Sequence, residues 1–426
     1  MMKKLIAIIL VLCLLGVGAV GYLDGRARAP RSSGAAKTEA VPAPQPQIQT
    51  PDGVSAPAQE PETPAQEART LHAVDLEAVK ALHDPAETVM TLDGKPVSWG
   101  DYFYLLSYEV RSIDNYFNNL LLYYGMELDW ADEAEGDGVS YADVAHEYAL
   151  DALRQFAAIE RFAEDNGVEL TEDDLAAIEQ KKQENIASMT VDLPEDTDEE
   201  TRHAAFVEKL AEQNMSEAFY DRVGRVRQLY EACFQQVYGP EGANMDEQAV
   251  IAYLTEKGYI SVNHILLSTQ DLTTGEKLDE AAVAEKKALA ESLARELQGI
   301  SDPVELLKRF NELKTQYCED TGKLAYPTGY TFTPGTMVEP FEKASQALEE
   351  YQVSDPVETD YGYHVILRLP LSGDGLLAPA NTVKSARATV AEEEYGQRLQ
   401  AIQDALQPEL AAGFEVPDLL KYLVER

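Results

Sequence analysis

Apolar residues along this chain follow two periods, and the place where one gives way to the other marks its organisation. From Tyr102, the positions Leu105, Leu106, Val110 and Ile113 recur three and four residues apart, which lines them along one face of a helix, and Ser98 stands ahead of them as a cap. The same spacing predicts helices over about 141–165, 172–188, 199–213 and 216–237. Thr171, with Asp174 three residues on, opens the second of these as an approximate capping box, and Gly258 closes a shorter helix over 246–257. Ahead of them all, Thr88 to Val97 reads as two short strands around an Asp93-Gly94 turn. At Tyr259 the pattern changes. Tyr259-Ile-Ser-Val-Asn-His-Ile-Leu-Leu267 is a compact, β-branched run that predicts a strand, and Tyr363 to Leu369 predicts another. Between them lie amphipathic helices over 279–298 and 304–316. After a small linker over 372–379 the tail returns to helix over 382–406, with 416–424 open as a last helix, and is expected to pack back on the first helical body.

The N-terminus has a different character. Lys3 and Lys4 precede an apolar run from Leu5 to Tyr22, the charged start and greasy centre of an export signal, read here as a retained anchor in preference to a cleaved signal. Cys13 follows Leu12, which is not the small residue that bacterial lipidation requires. From Arg26 to about Ala68 the chain is Pro, Ala, Gln, Ser and Glu, with too little apolar surface to offset its ordering entropy, so it reads as a tether. The expected layout is an anchor over 1–22, a tether over 23–75, a helical body over 76–257, a mixed module over 258–371 and C-terminal helices over 372–426. The chain then sits on the outer face of a cell membrane, or is secreted if the signal is cleaved.

Charge narrows the function. A formal net charge of −40 argues against nucleic acid, whose phosphates need clustered Lys and Arg. Cys233 and Cys318 are the cysteines free to pair in the exported part, and their pairing stays open; no cysteine spacing matches a zinc site. Asp132 to Asp137 lacks the ligand spacing of a calcium loop and reads as a solvated loop. The tyrosines at 102, 104, 108, 116, 123 and 124 serve either as core or as the lining of a client groove.

Chemistry concentrates in the mixed module. Of six histidines, His264 and His364 lie in the two strand-like runs at its ends. Val262-Asn-His-Ile-Leu-Leu267 resembles the first strand of the parvulin family of peptidyl-prolyl isomerases. Thr331-Phe-Thr-Pro-Gly-Thr-Met-Val-Glu-Pro-Phe341 resembles its Gly, Met and Phe pattern, and Ser354 to Leu367 its closing turn and strand, all in the family's order. The resemblance implies an α+β chain: a mostly helical, chaperone-like body with an inserted parvulin-like domain, a small antiparallel sheet flanked by helices. It puts His264 and His364 on the paired histidines, Asp320 beside the reacting carbonyl and Thr359 in the histidine hydrogen-bond network. Met337 and Phe341 fall on the walls that grip a proline ring, with Phe332 as an adjacent aromatic. Isomerisation of X-Pro bonds uses no metal or cofactor. One departure stands out: Tyr326-Pro-Thr-Gly-Tyr330 replaces the Gly-Gly-Asp-Leu-Gly of many parvulins and lacks its pocket leucine. That keeps open a non-catalytic holdase with a degenerate parvulin domain. The whole layout resembles foldases of Gram-positive envelopes, which implies unfolded exported proteins as partners, the membrane as an attachment, and an oligomeric state left open with a dimer among the options.

Overall fold

The computed structural model describes residues 70–134, 138–378 and 382–425. The export signal, Cys13 and nearly all of the tether lie outside the described residues, as does the end of the Asp132–Asp137 run. In chain order the elements are β1 (His72–Val74), α1 (Leu76–Lys80), β2 (Thr88–Leu92), β3 (Lys95–Ser98), α2 (Trp99–Tyr124), α3 (Tyr141–Asn166), α4 (Glu172–Met189), α5 (Glu199–Glu212), α6 (Glu217–Tyr238) and α7 (Glu247–Glu256). They continue with β4 (Ile260–Ser268), α8 (Glu280–Gln298), α9 (Pro303–Tyr317), β5 (Tyr330–Phe332), α10 (Glu339–Ala347), β6 (Val357–Thr359), β7 (Gly362–Leu369), α11 (Ala386–Ala405), β8 (Glu409–Leu410) and β9 (Leu423–Glu425). Among the described residues, no helix is long and apolar enough to cross a membrane.

The chain divides into two compact units. The first takes residues up to Arg154, Leu175–Arg225 and Gln407–Arg426; the second takes Gln155–Asp174 and Val226–Leu406. In the first, Asp93 and Gly94 both have positive φ, as a tight hairpin turn between β2 and β3 needs. Ser98 caps α2 by accepting from the Asp101 amide at 3.1 Å. The helix buries Trp99, Tyr102, Leu105, Leu106, Val110, Ile113 and Phe117, and ends at Gly125 in the left-handed region. The tyrosines divide along it: Tyr102 and Tyr104 are core, whereas Tyr116, Tyr123 and Tyr124 are exposed. The chain's end returns as strands, β9 beside β1 and β8 beside β2. A last helix over 416–424 therefore does not form. Asp418 caps a single 3-10 turn at Leu419–Tyr422, and Leu423–Glu425 gains the ladder hydrogen bonds of β1 in place of a helix too short to sustain itself.

In the second unit the antiparallel order is β5-β4-β7-β6. Strand β4 is buried on both faces, so that Ser261, Asn263, His264 and Ser268 are enclosed along with its apolar residues. Ile265, Leu267, Val365 and Leu367 meet Leu293, Leu297, Leu306, Phe310 and Leu313 of α8 and α9. Val262 and Ile366 meet Phe332 and Phe341 on the other face. Asp279 and Asp302 cap α8 and α9. Helix α11 begins at Ser385, whose hydroxyl accepts from the Ala388 amide, rather than at 382. It packs Tyr395 among Phe162, Tyr230, Phe234 and Tyr238, with the Arg398 guanidinium 4.5 Å from the centre of the Phe162 ring. Cys233 and Cys318 are both free and buried.

The turn from β6 into β7 demands glycine. Gly362 has φ +139°, and a Cβ there would sit 2.2 Å from the Leu267 carbonyl oxygen. Gly94 also has positive φ but open space around it. We expect Gly94→Ala to cost about 1 kcal/mol, the left-handed backbone alone. Gly362→Ala should cost roughly 3 kcal/mol or more, since it adds a clash inside the sheet. Urea unfolding followed by circular dichroism checks both; equal midpoints for the two variants would show that the close approach is relieved at no cost.

Candidate active site

Register sets the site. Across β4 and β7, His264 faces Ile366 and Leu266 faces His364, so the two histidines are diagonal neighbours on one face of the sheet. Their rings lie 5.2 Å apart, centre to centre, inclined at 50°. Phe341, from the first turn of α10, meets both edge-on, at 5.2 Å and 81° for His264 and 5.2 Å and 69° for His364. Met337 lies in the loop just before that helix and packs against the same apolar group of Val262, Phe332, Phe341 and Ile366. Glu342 holds this loop, its carboxylate accepting from the amides of Gly335 at 2.8 Å and Thr336 at 3.2 Å. Thr359 on β6 accepts from the Tyr361 amide at 3.2 Å and shares a 2.8 Å hydrogen bond with His364 Nε2.

The polar side comes from an extended stretch along β4. The Glu319 amide donates to the Leu266 carbonyl at 2.9 Å, and the Ser268 amide donates to the Glu319 carboxylate at 2.7 Å. This delivers Asp320, whose Oδ1 accepts from the Gly322 amide at 2.9 Å and whose Oδ2 lies 3.6 Å from His264 Nε2. The neighbouring Cys318 faces inward, its sulfur accepting from the Leu266 amide at 3.4 Å within the helix-side core.

His264, Asp320, Met337, Phe341 and His364 line one cleft of about 490 Å³, with Tyr330, Leu272 and Tyr361 beside them. One residue expected near the substrate stands elsewhere. Phe332 is fully buried, 6.2 Å from Phe341 centre to centre, and forms the layer beneath it rather than a wall, because β5 carries it inward to Val262 and Ile366. Thr359, expected in the histidine hydrogen-bond network, lies behind His364 and bonds to its Nε2.

Sequence reasoning passed over Tyr330. Its hydroxyl donates to Asp320 Oδ2 at 2.6 Å, and its ring stacks on His264 at 5.5 Å and 24°. The signal available was its place in a strand, where Tyr330 and Phe332 share a face. Lys314 secures the loop leading to it, donating to Asn263 Oδ1 at 2.8 Å and to the Pro327 carbonyl at 3.0 Å. Burial pulls the Lys314 ammonium below its ordinary value.

Burial also governs the imidazoles. Loss of hydration pushes His264 well below the usual histidine range, against the opposing pull of the Asp320 charge. It pushes His364 down to about 3, helped by His264 beside it. Both rings are neutral near pH 7, and each keeps a buried Nδ1 without a protein partner. Among the described residues, no group of His, Cys, Asp and Glu is arranged to hold a metal.

A folded-state value below the unfolded one means that the unfolded chain takes up protons first as pH falls. Stability is therefore lost from the ordinary histidine value of 6.5 down toward about 3 for His364. Relative to a His364→Gln variant, the wild type should lose about 1 kcal/mol per pH unit between roughly pH 5.5 and 4. Urea midpoints of both proteins across that window test this, and parallel curves would place the His364 proton affinity near its unfolded value.

Comparison with known proteins agrees in location with this geometry. Residues 264–369 match the Rotamase family model, described as a PPIC-type PPIase domain. Foldase protein PrsA 1 of Bacillus cereus is 48% identical over 61 residues, 14% of this chain and 21% of that protein. Foldase protein PrsA of Bacillus subtilis is 29% identical over 164 residues, 38% of this chain and 46% of that protein. The chain thus spans between about a fifth and a half of the length of these curated relatives. A crystal structure of PrsA from Bacillus subtilis aligns with 76% of this chain and 92% of its own at 18% identity and a TM-score of 0.23. Residues 264–369, the segment that carries both histidines, Asp320, Met337 and Phe341, are a parvulin-type PPIase domain.

Proposed function

We propose that this chain is an extracytoplasmic foldase that binds unfolded exported proteins and isomerises their X-Pro bonds at the cleft between His264, His364, Met337 and Phe341. The observation that carries the reading is the convergence of an apolar notch, two buried neutral imidazoles and an ionisable Asp320 on one cavity. Rotation about a peptide bond faces about 18–20 kcal/mol because resonance stiffens the C–N bond. Nothing need be made or broken; the site must bind the twisted amide more tightly than either planar isomer.

The residues supply this in two ways. Met337 and Phe341 seat the pyrrolidine ring and exclude water, and a twisted amide, having lost its charge-separated resonance form, is less polar and better suited to that environment. Asp320, held by the Tyr330 hydroxyl and the Gly322 amide, presents negative charge toward the prolyl carbonyl. That field opposes the build-up of negative charge on the oxygen and so disfavours the planar, conjugated amide. Thr359 keeps His364 in place, and neutral rings avoid a positive charge that would stabilise the planar form. Tyr330, from the segment that lacks the usual leucine, adds to the same lining. In this reading the segment Leu5–Tyr22 directs export and either anchors the chain or is removed.

Exchange NMR on a short Pro-containing peptide tests the activity. Phe341→Ala should lower kcat/KM roughly 10- to 100-fold, the worth of a buried phenyl ring. Suppression of client aggregation by the same variant should stay near the wild-type level. No acceleration by a folded wild type would overturn the isomerase assignment. Tyr330→Phe should reduce the rate about 3- to 10-fold by releasing Asp320, with circular dichroism unchanged; an unaltered rate would show that the Tyr330 hydroxyl does not position the carboxylate.

A further inference from the structure

The cleft carries a charge pattern that its isomerase role does not require. Among the described residues, its lining includes the carboxylates of Asp271, Glu319 and Asp320 and no Lys or Arg. Glu319 is balanced by Lys286, whose ammonium lies 2.5 Å away. The two imidazoles that also line the cleft are held neutral by burial and add no positive charge. What remains on the lining is Asp320, with the Lys314 ammonium within electrostatic reach behind it, and Asp271 at the rim, exposed to the cleft.

Asp271 is held in place. Its Oδ1 accepts from the amides of Thr273 and Thr274, each at 2.8 Å, in a turn that leaves the side chain at the surface. Those two hydrogen bonds lower its proton affinity, so it stays ionised. Two exposed apolar residues on the same lining, Leu272 and Tyr361, stand on this rim.

Resting on the isomerase reading, we infer that the cleft selects for a cationic residue immediately before the proline, with Asp271 as the specificity-determining residue. The residue preceding proline lies one Cα step away, about 3.8 Å in the trans form and 2.9 Å in the cis form. With the ring seated between Met337 and Phe341, its side chain emerges at the rim in both isomers. A Lys or Arg lays its aliphatic stem on Leu272 and Tyr361 and turns its charge toward Asp271. The Tyr361 ring face adds attraction for the cation. A glutamate or phosphoserine at that position meets like charge from Asp271 and Asp320 with no cation on the lining to compensate.

The test uses the full chain and three peptides that differ only before the proline, with Lys, Ala or Glu, followed by exchange NMR at low and high salt. The expected order of kcat/KM is Lys above Ala above Glu. The Lys-to-Glu ratio should be about tenfold at low salt and shrink toward about threefold at 0.5 M, as screening at the rim predicts. Asp271→Asn retains an oxygen for the two turn hydrogen bonds and should narrow the low-salt ratio by about threefold, through a slower Lys peptide and a faster Glu peptide. A ratio near one, or a ratio that neither salt nor Asp271→Asn alters, overturns the inference. If the Ala peptide is not accelerated at all, the isomerase reading fails instead. The charge preference is then read from peptide affinities in NMR titrations, where equal Kd values for the Lys and Glu peptides overturn it.

Discussion

The register between β4 and β7 is the constraint on which the site depends. Pairing Leu266 with His364 puts both histidines on the face that receives Phe341 and Met337. A slip of one residue would turn one histidine into the helix-packed face among Leu293 and Phe310, where an imidazole finds no partner. The slip is opposed from both sides, because each strand presents large apolar residues to both layers. Gly362 adds a further lock, since only at this register does a residue without a side chain fall against the Leu267 carbonyl. The geometry of the cleft and the packing of the core are therefore set by the same ladder of hydrogen bonds.

The two imidazoles occupy an environment that removes their charge, and this is the opposite of the use most histidines find in enzymes. Burial beside Phe341 leaves each ring neutral and packed edge-on against a phenyl group. The carboxylate is handled differently. Asp320 accepts hydrogen bonds from an amide and a phenol, which replace part of the hydration that its place in the cleft removes.

Much of this was legible in the sequence, and the exceptions have physical reasons. The long helices from α3 to α9 fall within a residue or two of their expected bounds, because each combines a clear apolar period with a capping residue such as Thr171, Asp279 or Asp302. Strands β5 and β6 are three residues each and too short for a period to register. Helix α10 is short and begins at Glu339-Pro340, and its apolar residues belong to the same motif as Met337. The strands at the end of the chain have no local signature, since their partners lie in β1 and β2. In the site, His264, His364, Asp320, Met337 and Phe341 were found from ordered motifs. Phe332 was displaced from the lining by strand direction, and Tyr330 escaped notice because its segment was judged by the leucine it lacks. A motif says which residue types recur; depth below a surface and partners across a gap are set by packing.

The return of β8 and β9 to β2 and β1 has a consequence for a chain that is made from its N-terminus onward. His72 pairs with Glu425 and Met90 with Leu410, so the earliest and latest stretches of the folded part close a single pair of sheets. The continuous stretch from β4 to β7 needs no such partner and can be complete while β1 and β2 still wait for theirs. Such a protein would complete the domain that carries the cleft before the unit that holds β1 and β9, with unpaired strand edges exposed until β8 and β9 arrive.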